Sequence, residues 1–67
     1  MLQEQERIAN ETKTFLARWG LKAKYVAEVC GLTPKVLSQF INHRFALTNN
    51  QLNRLTTYIA EYEVRNG

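Results

Sequence analysis

With 67 residues, 45% of them hydrophobic, and a formal charge of +3, the chain is sized for one small domain covering residues 1–67. A domain this short buries only about 60% of the surface its unfolded form exposes, which leaves no volume for an ordinary catalytic cleft beside the core. The single cysteine, Cys30, rules out an internal disulfide, and with a single histidine, His43, it cannot close a zinc site.

No cofactor is therefore expected. Nor is an enzyme, since no nucleophile–base pair or glycine-rich phosphate loop is present. One cysteine fits a reducing, cytoplasmic setting. No stretch approaches the roughly 18 consecutive apolar residues of a membrane span, and the opening MLQEQERIAN is too polar for a signal peptide. Charge is unevenly placed. Between Thr12 and Ala60, Lys13, Arg18, Lys22, Lys24, Lys35, Arg44 and Arg54 stand against Glu28 alone, whereas both ends are mildly acidic. A basic middle suits either a solvated surface or a polyanionic partner.

In chain order, Ile8, Thr12, Phe15 and Trp19 recur at helical spacing and predict a first helix from Glu4 to Trp19. Gly20 stops it. Phe15 and Trp19 read as core rather than as ligand platforms. The Glu-rich start of this helix either frays or reaches toward a partner. A second helix runs from Lys22 to Cys30, with Tyr25, Val26, Val29 and Cys30 as its apolar surface and Ala27 small enough for close helix approach. Cys30 reads as an inert buried hydrophobe. Two lysines in the first turn oppose the helix dipole and make more sense opposite a phosphate.

Gly31 ends the second helix, then Thr33 supplies an N-cap and Pro34 a first helical residue. The third helix, residues 34–43, places Leu37, Phe40 and Ile41 on one side and Lys35, Ser38, Gln39 and Asn42 on the other. Phe45 and Leu47 in the following connection are expected to tuck into the core. Thr48, Asn49 and Asn50 are alternative caps for a last helix, residues 50–64, striped by Leu52, Leu55, Ile59 and Tyr62 and widened by Tyr58. Nothing alternates with the period of a strand. The expected fold is all-α, a compact bundle of four or five helices.

Ala27, Gly31 four positions on, Leu32, and the inward Leu37, Phe40 and Ile41 make GLTPKVLSQFIN similar to the turn and recognition helix of the Cro and phage-repressor family. HRFALTNNQLNRLTTYIAEY resembles that family's loop and fourth helix, so the likeness covers Phe15 to Tyr62. The resemblance implies a lambda repressor-like helix-turn-helix domain. It implies base-edge contacts from Lys35, Ser38 and Gln39, with Thr33 and Pro34 at the leading end. It also implies phosphate contacts from Asn42, His43 and Arg44. Where many members carry a hydroxyl residue followed by a phosphate-binding glutamine, this chain has Lys22 and Ala23. Lys22 and Lys24 then replace the clamp with looser charge contacts.

The implied function is a sequence-specific transcriptional regulator, a repressor of phage or mobile-element type. It would work in the cytoplasm of a bacterial or phage-infected cell and bind double-stranded DNA as a homodimer. Tyr58, Tyr62 and Val64 on the last helix are the candidate dimer contacts. The competing reading uses the same scaffold as a protein-binding adaptor or antagonist of another regulator. The altered clamp and the acidic start of the first helix favour it modestly.

Overall fold

The computed structural model describes residues 3–67; Met1 and Leu2, which begin the polar opening stretch, lie outside the described residues. Four helices follow in order: α1 Gln3–Trp19, α2 Ala23–Val29, α3 Pro34–Ile41 and α4 Asn49–Asn66. No fifth helix and no strand occur among the described residues, and none of the helices is long and apolar enough to cross a membrane. The radius of gyration is 10.8 Å, which matches the roughly 11 Å expected of a folded chain this long.

The helix ends are chemically specified. α1, α2 and α3 all close in the same way, with a residue in the left-handed region followed by an amide that reaches back six-to-one. Gly20 (φ 65°) and Gly31 (φ 75°) fill that position for α1 and α2. The Leu21 N–H then donates to the Leu16 carbonyl at 3.0 Å, and the Leu32 N–H to the Ala27 carbonyl at 2.7 Å. The third case carries no glycine. His43 (φ 62°) takes the position, and the Arg44 N–H donates to the Gln39 carbonyl at 2.8 Å. α3 therefore ends at Ile41, two residues before the His43 boundary expected from the sequence.

At their starts, α3 and α4 are capped by threonines. The Thr33 hydroxyl accepts from the Val36 N–H at 3.2 Å, and Pro34 sits in the first turn. Thr48 and Gln51 form a reciprocal capping box, each side chain accepting from the other's backbone N–H. Of the three cap candidates Thr48 is the one used, and α4 consequently runs from Asn49 to Asn66 rather than from 50 to 64.

One core joins all four helices: Ile8, Ala9, Phe15 and Leu16 from α1, Val26 and Ala27 from α2, Leu37 and Phe40 from α3, Leu52 and Leu55 from α4. Cys30, Leu32 and Leu47 complete it from the connections. Tyr25 and Val29 are not part of it; both are more than half exposed. With only seven residues, α2 has one buried face, occupied by Val26 and Ala27 and continued by its C-cap residue Cys30. Phe45 is also exposed, at 41%, so of the two connection residues expected in the core only Leu47 is buried there.

The acidic start of α1 is helical from Gln3, with Glu4 and Glu6 exposed, and is tied to the body of the domain by the residue between them. Gln5 is 5% exposed, and its amide meets the backbone of Leu47 twice: Nε2 donates to the Leu47 carbonyl and Oε1 accepts from the Leu47 N–H, both at 3.0 Å. At the other end of α1, Phe15 meets Tyr58 and Tyr62 edge-on at 6.2 and 5.3 Å, and Trp19 meets Tyr62 at 5.4 Å. Such aromatic pairs contribute about 0.5–1.5 kcal/mol each beyond burial. α1 thus holds α4 at both ends.

Gln5→Leu keeps the shape roughly but strands a buried N–H and C=O, at a cost of about 2–4 kcal/mol. In a domain this small that lowers the melting temperature by at least about 10 °C. Gln5→Glu separates the causes. Burial and the facing Leu47 carbonyl favour the protonated acid, which can still donate as the amide does, so the folded pKa lies above the usual value of about 4.3. The variant then matches the wild-type protein below that pH and loses stability relative to it as pH rises. Thermal melts of both proteins across pH 3–7 (about four units) check this.

Candidate nucleic-acid interface

The connection between α2 and α3 is short because each of its residues has a backbone role. Gly31 turns the chain, Leu32 is buried, and Thr33 caps α3. A Cβ built on Gly31 would stand 2.8 Å from Nη1 of Arg54, so the Arg54 guanidinium lies directly over the turn. Cys30 beside it has its thiol pKa raised by burial, against a smaller opposing effect of Arg54. The thiol stays protonated and unreactive at neutral pH.

α3 presents two chemically opposite sides. Leu37 and Phe40 are 0% exposed, with Val36 and Ile41 partly buried around them. Thr33, Pro34, Lys35 and Ser38 are exposed and Gln39 is half-buried. These five residues fall within the first two turns of the helix, about 9 Å of its length. The side chains of Lys35, Ser38 and Gln39 take no hydrogen bond or ion pair among the described residues, whereas the Thr33 hydroxyl is already occupied as a cap acceptor.

The five residues expected at phosphates divide. Lys22 and Lys24 are exposed at the start of α2, where Lys22 is the N-cap residue and makes no side-chain cap. Arg44 is exposed beyond the end of α3. Asn42 and His43 are engaged in holding that end together. The Asn42 amide donates to the Ser38 carbonyl at 2.8 Å, and His43 Nε2 lies 3.2 Å from Oδ1 of Asn10 on α1.

The ion pairs among the described residues are Arg7–Glu11, Arg18–Glu63 and Arg65–Glu61. Lys13, Lys22, Lys24, Lys35, Arg44 and Arg54 have no acidic partner there, so the basic middle of the chain keeps its charge in the folded state. Of the three residues expected at a dimer contact, Val64 is 84% exposed. Tyr58 and Tyr62 are not spare surface: both are partly buried in the aromatic seam with Phe15. Burial, then the neighbouring Tyr25, raises the Tyr58 phenol pKa.

Sequence reasoning overlooked Gln5, Asn10 and Arg54. Gln5 was detectable, because it extends the Ile8–Thr12–Phe15 stripe backward by three residues. Nothing in the chain marks Asn10 or Arg54, whose partners are distant in sequence. Neither a protein-family model, nor a curated protein, nor a solved structure matches this chain.

His43 holds the end of α3 in a conformation that costs ordinary L residues about 1–2 kcal/mol and β-branched residues more. His43→Val should therefore lose about 2 kcal/mol. His43→Gly, which relieves the backbone but gives up the Asn10 contact, should stay within about 1 kcal/mol of the wild-type protein. Urea denaturation of the two variants measures the difference.

Proposed function

We propose that this chain is a sequence-specific DNA-binding regulator of repressor type, which lays α3 in the major groove and acts as a homodimer. The observation that carries the reading is the front of α3, where Lys35, Ser38 and Gln39 are left without intramolecular partners while Leu37 and Phe40 anchor the back. Side chains that are free to form hydrogen bonds, on a helix anchored by a fully buried back, suit recognition of base edges. Gln39 can pair bidentately with adenine, Lys35 can donate to guanine O6 or N7, and the Ser38 hydroxyl can serve several bases. Lys22 and Lys24 at the start of α2 and Arg44 beyond α3 supply phosphate contacts on either side. Asn42 and His43 act in this scheme chiefly by fixing the end of α3. Two copies would read half-sites about 34 Å apart.

Selection of bound sequences from a random duplex pool tests the reading and should enrich a near-palindromic motif. Failure to enrich any motif would favour the adaptor reading. In the binding assay, Gln39→Ala should cost about 1–3 kcal/mol and relax preference at one base pair. The Lys22→Ala, Lys24→Ala double variant should bind more weakly on all sequences and flatten the log–log salt slope by about 2, at roughly 0.9 per lost phosphate contact. An unchanged slope removes these lysines from the interface.

A further inference from the structure

We propose that Asn42 is a specificity-determining residue, whose side-chain oxygen accepts a hydrogen bond from the exocyclic amino group of a base, adenine N6 or cytosine N4. Asn42 caps the end of α3 and is exposed. It lies about two turns, or about 10 Å, beyond Lys35 and within about 20° of it around the helix. Asn42 therefore continues the polar front of Lys35, Ser38 and Gln39 to its far end. α3 has only eight residues, so both ends of that front fall within one short stretch of groove.

The atoms of the amide decide what it can recognise. The Ser38 carbonyl can only accept, so the Asn42 atom 2.8 Å from it is Nδ2, and the orientation of the amide is settled. The same carbonyl accepts from the Asn42 backbone N–H at 3.2 Å, so the residue is held by its main chain and its side chain together. Oδ1 takes no hydrogen bond among the described residues and is left as a fixed acceptor. Phosphate oxygens are acceptors too, and offer it nothing. In the major groove the donors are the amino groups of adenine and cytosine, whereas guanine O6 and thymine O4 accept. A fixed Oδ1 therefore favours an amino group and disfavours either carbonyl in the same place. The bond that closes α3 also aims this acceptor. The phosphate contact that the family likeness implies for Asn42 gives way to a base contact.

This assignment rests on the proposed reading of DNA by α3, and the experiment separates the two. Sequences are selected from a random duplex pool with the wild-type chain and with Asn42→Ala, whose folding is verified by far-UV circular dichroism. Preference should relax at one base pair of each half-site and stay unchanged at the others. At that pair, the adenine or cytosine is then replaced by the same base without its amino group. The wild-type chain should bind this duplex about tenfold more weakly, relative to the same replacement outside the motif, and Asn42→Ala should not distinguish the two. The wild-type half of that comparison requires no variant. Asn42→Asp keeps an acceptor but gives up the Ser38 bond, and should bind more weakly overall while retaining the preference for an amino group. A wild-type chain indifferent to the missing amino group overturns the assignment and leaves the proposed function standing. So does an Asn42→Ala chain that weakens on all sequences alike, which marks a structural or phosphate role. A wild-type chain that enriches no motif overturns both.

Discussion

The buried amide of Gln5 is the interaction on which the arrangement of the other helices depends. It offers Leu47 one donor and one acceptor, as a paired strand would, and so satisfies an irregular piece of backbone that the core has taken out of water. Leu47 can then insert into the core, and the next residue, Thr48, begins α4 with its capping box. The direction of α4 follows, with Tyr58 and Tyr62 set against Phe15 in the last part of α1. A polar residue in the first turn of the chain thus governs the packing of the last helix. The connection is energetic as well as geometric, because two stranded buried groups would remove much of the few kcal/mol available to a domain of this size.

A second constraint acts on α3. Three helix ends share one closing motif, but only two of them use glycine. At the third, His43 accepts the left-handed backbone, and its ring meets Asn10 on α1. α3 is thereby held by its buried side, by the turn at Gly31 under Arg54, and by a tether from its end to α1. What remains free on it is polar and faces outward. In the proposed function this rigidity has a purpose, since hydrogen bonds to base edges discriminate only when the donors are fixed in place.

Much of this was legible in the residues themselves. The helical stripe of α1, the stops at Gly20 and Gly31, the Thr33–Pro34 start and the polar front of α3 are local properties, determined by spacing and capping chemistry within a few residues. The errors arose where a choice between faces depended on distant partners. Tyr25 and Val29 are as apolar as Val26 and Cys30, and nothing in a seven-residue helix says which pair meets α3 and α4. Phe45 and Leu47 are both apolar, and the one that is buried, Leu47, is the one whose backbone pairs with the distant Gln5. The α3 boundary fell two residues early because histidine carries no signature of a left-handed residue comparable to glycine's.

The all-helical fold, the approximate limits of its helices, the basic middle of the chain and the polar face of α3 can be read from the residues alone, because turn chemistry and hydrophobic period act over short range; the residues leave the count at four or five. The folded chain was needed to show that Gln5 pairs with the backbone of Leu47, that Tyr58 and Tyr62 brace α1 rather than lie free, and that Asn42 and His43 hold the end of α3. Each of those outcomes pairs groups far apart in sequence or reflects a backbone state open to several residue types. No local pattern encodes such a pairing, and it exists only once the core has brought its two halves together.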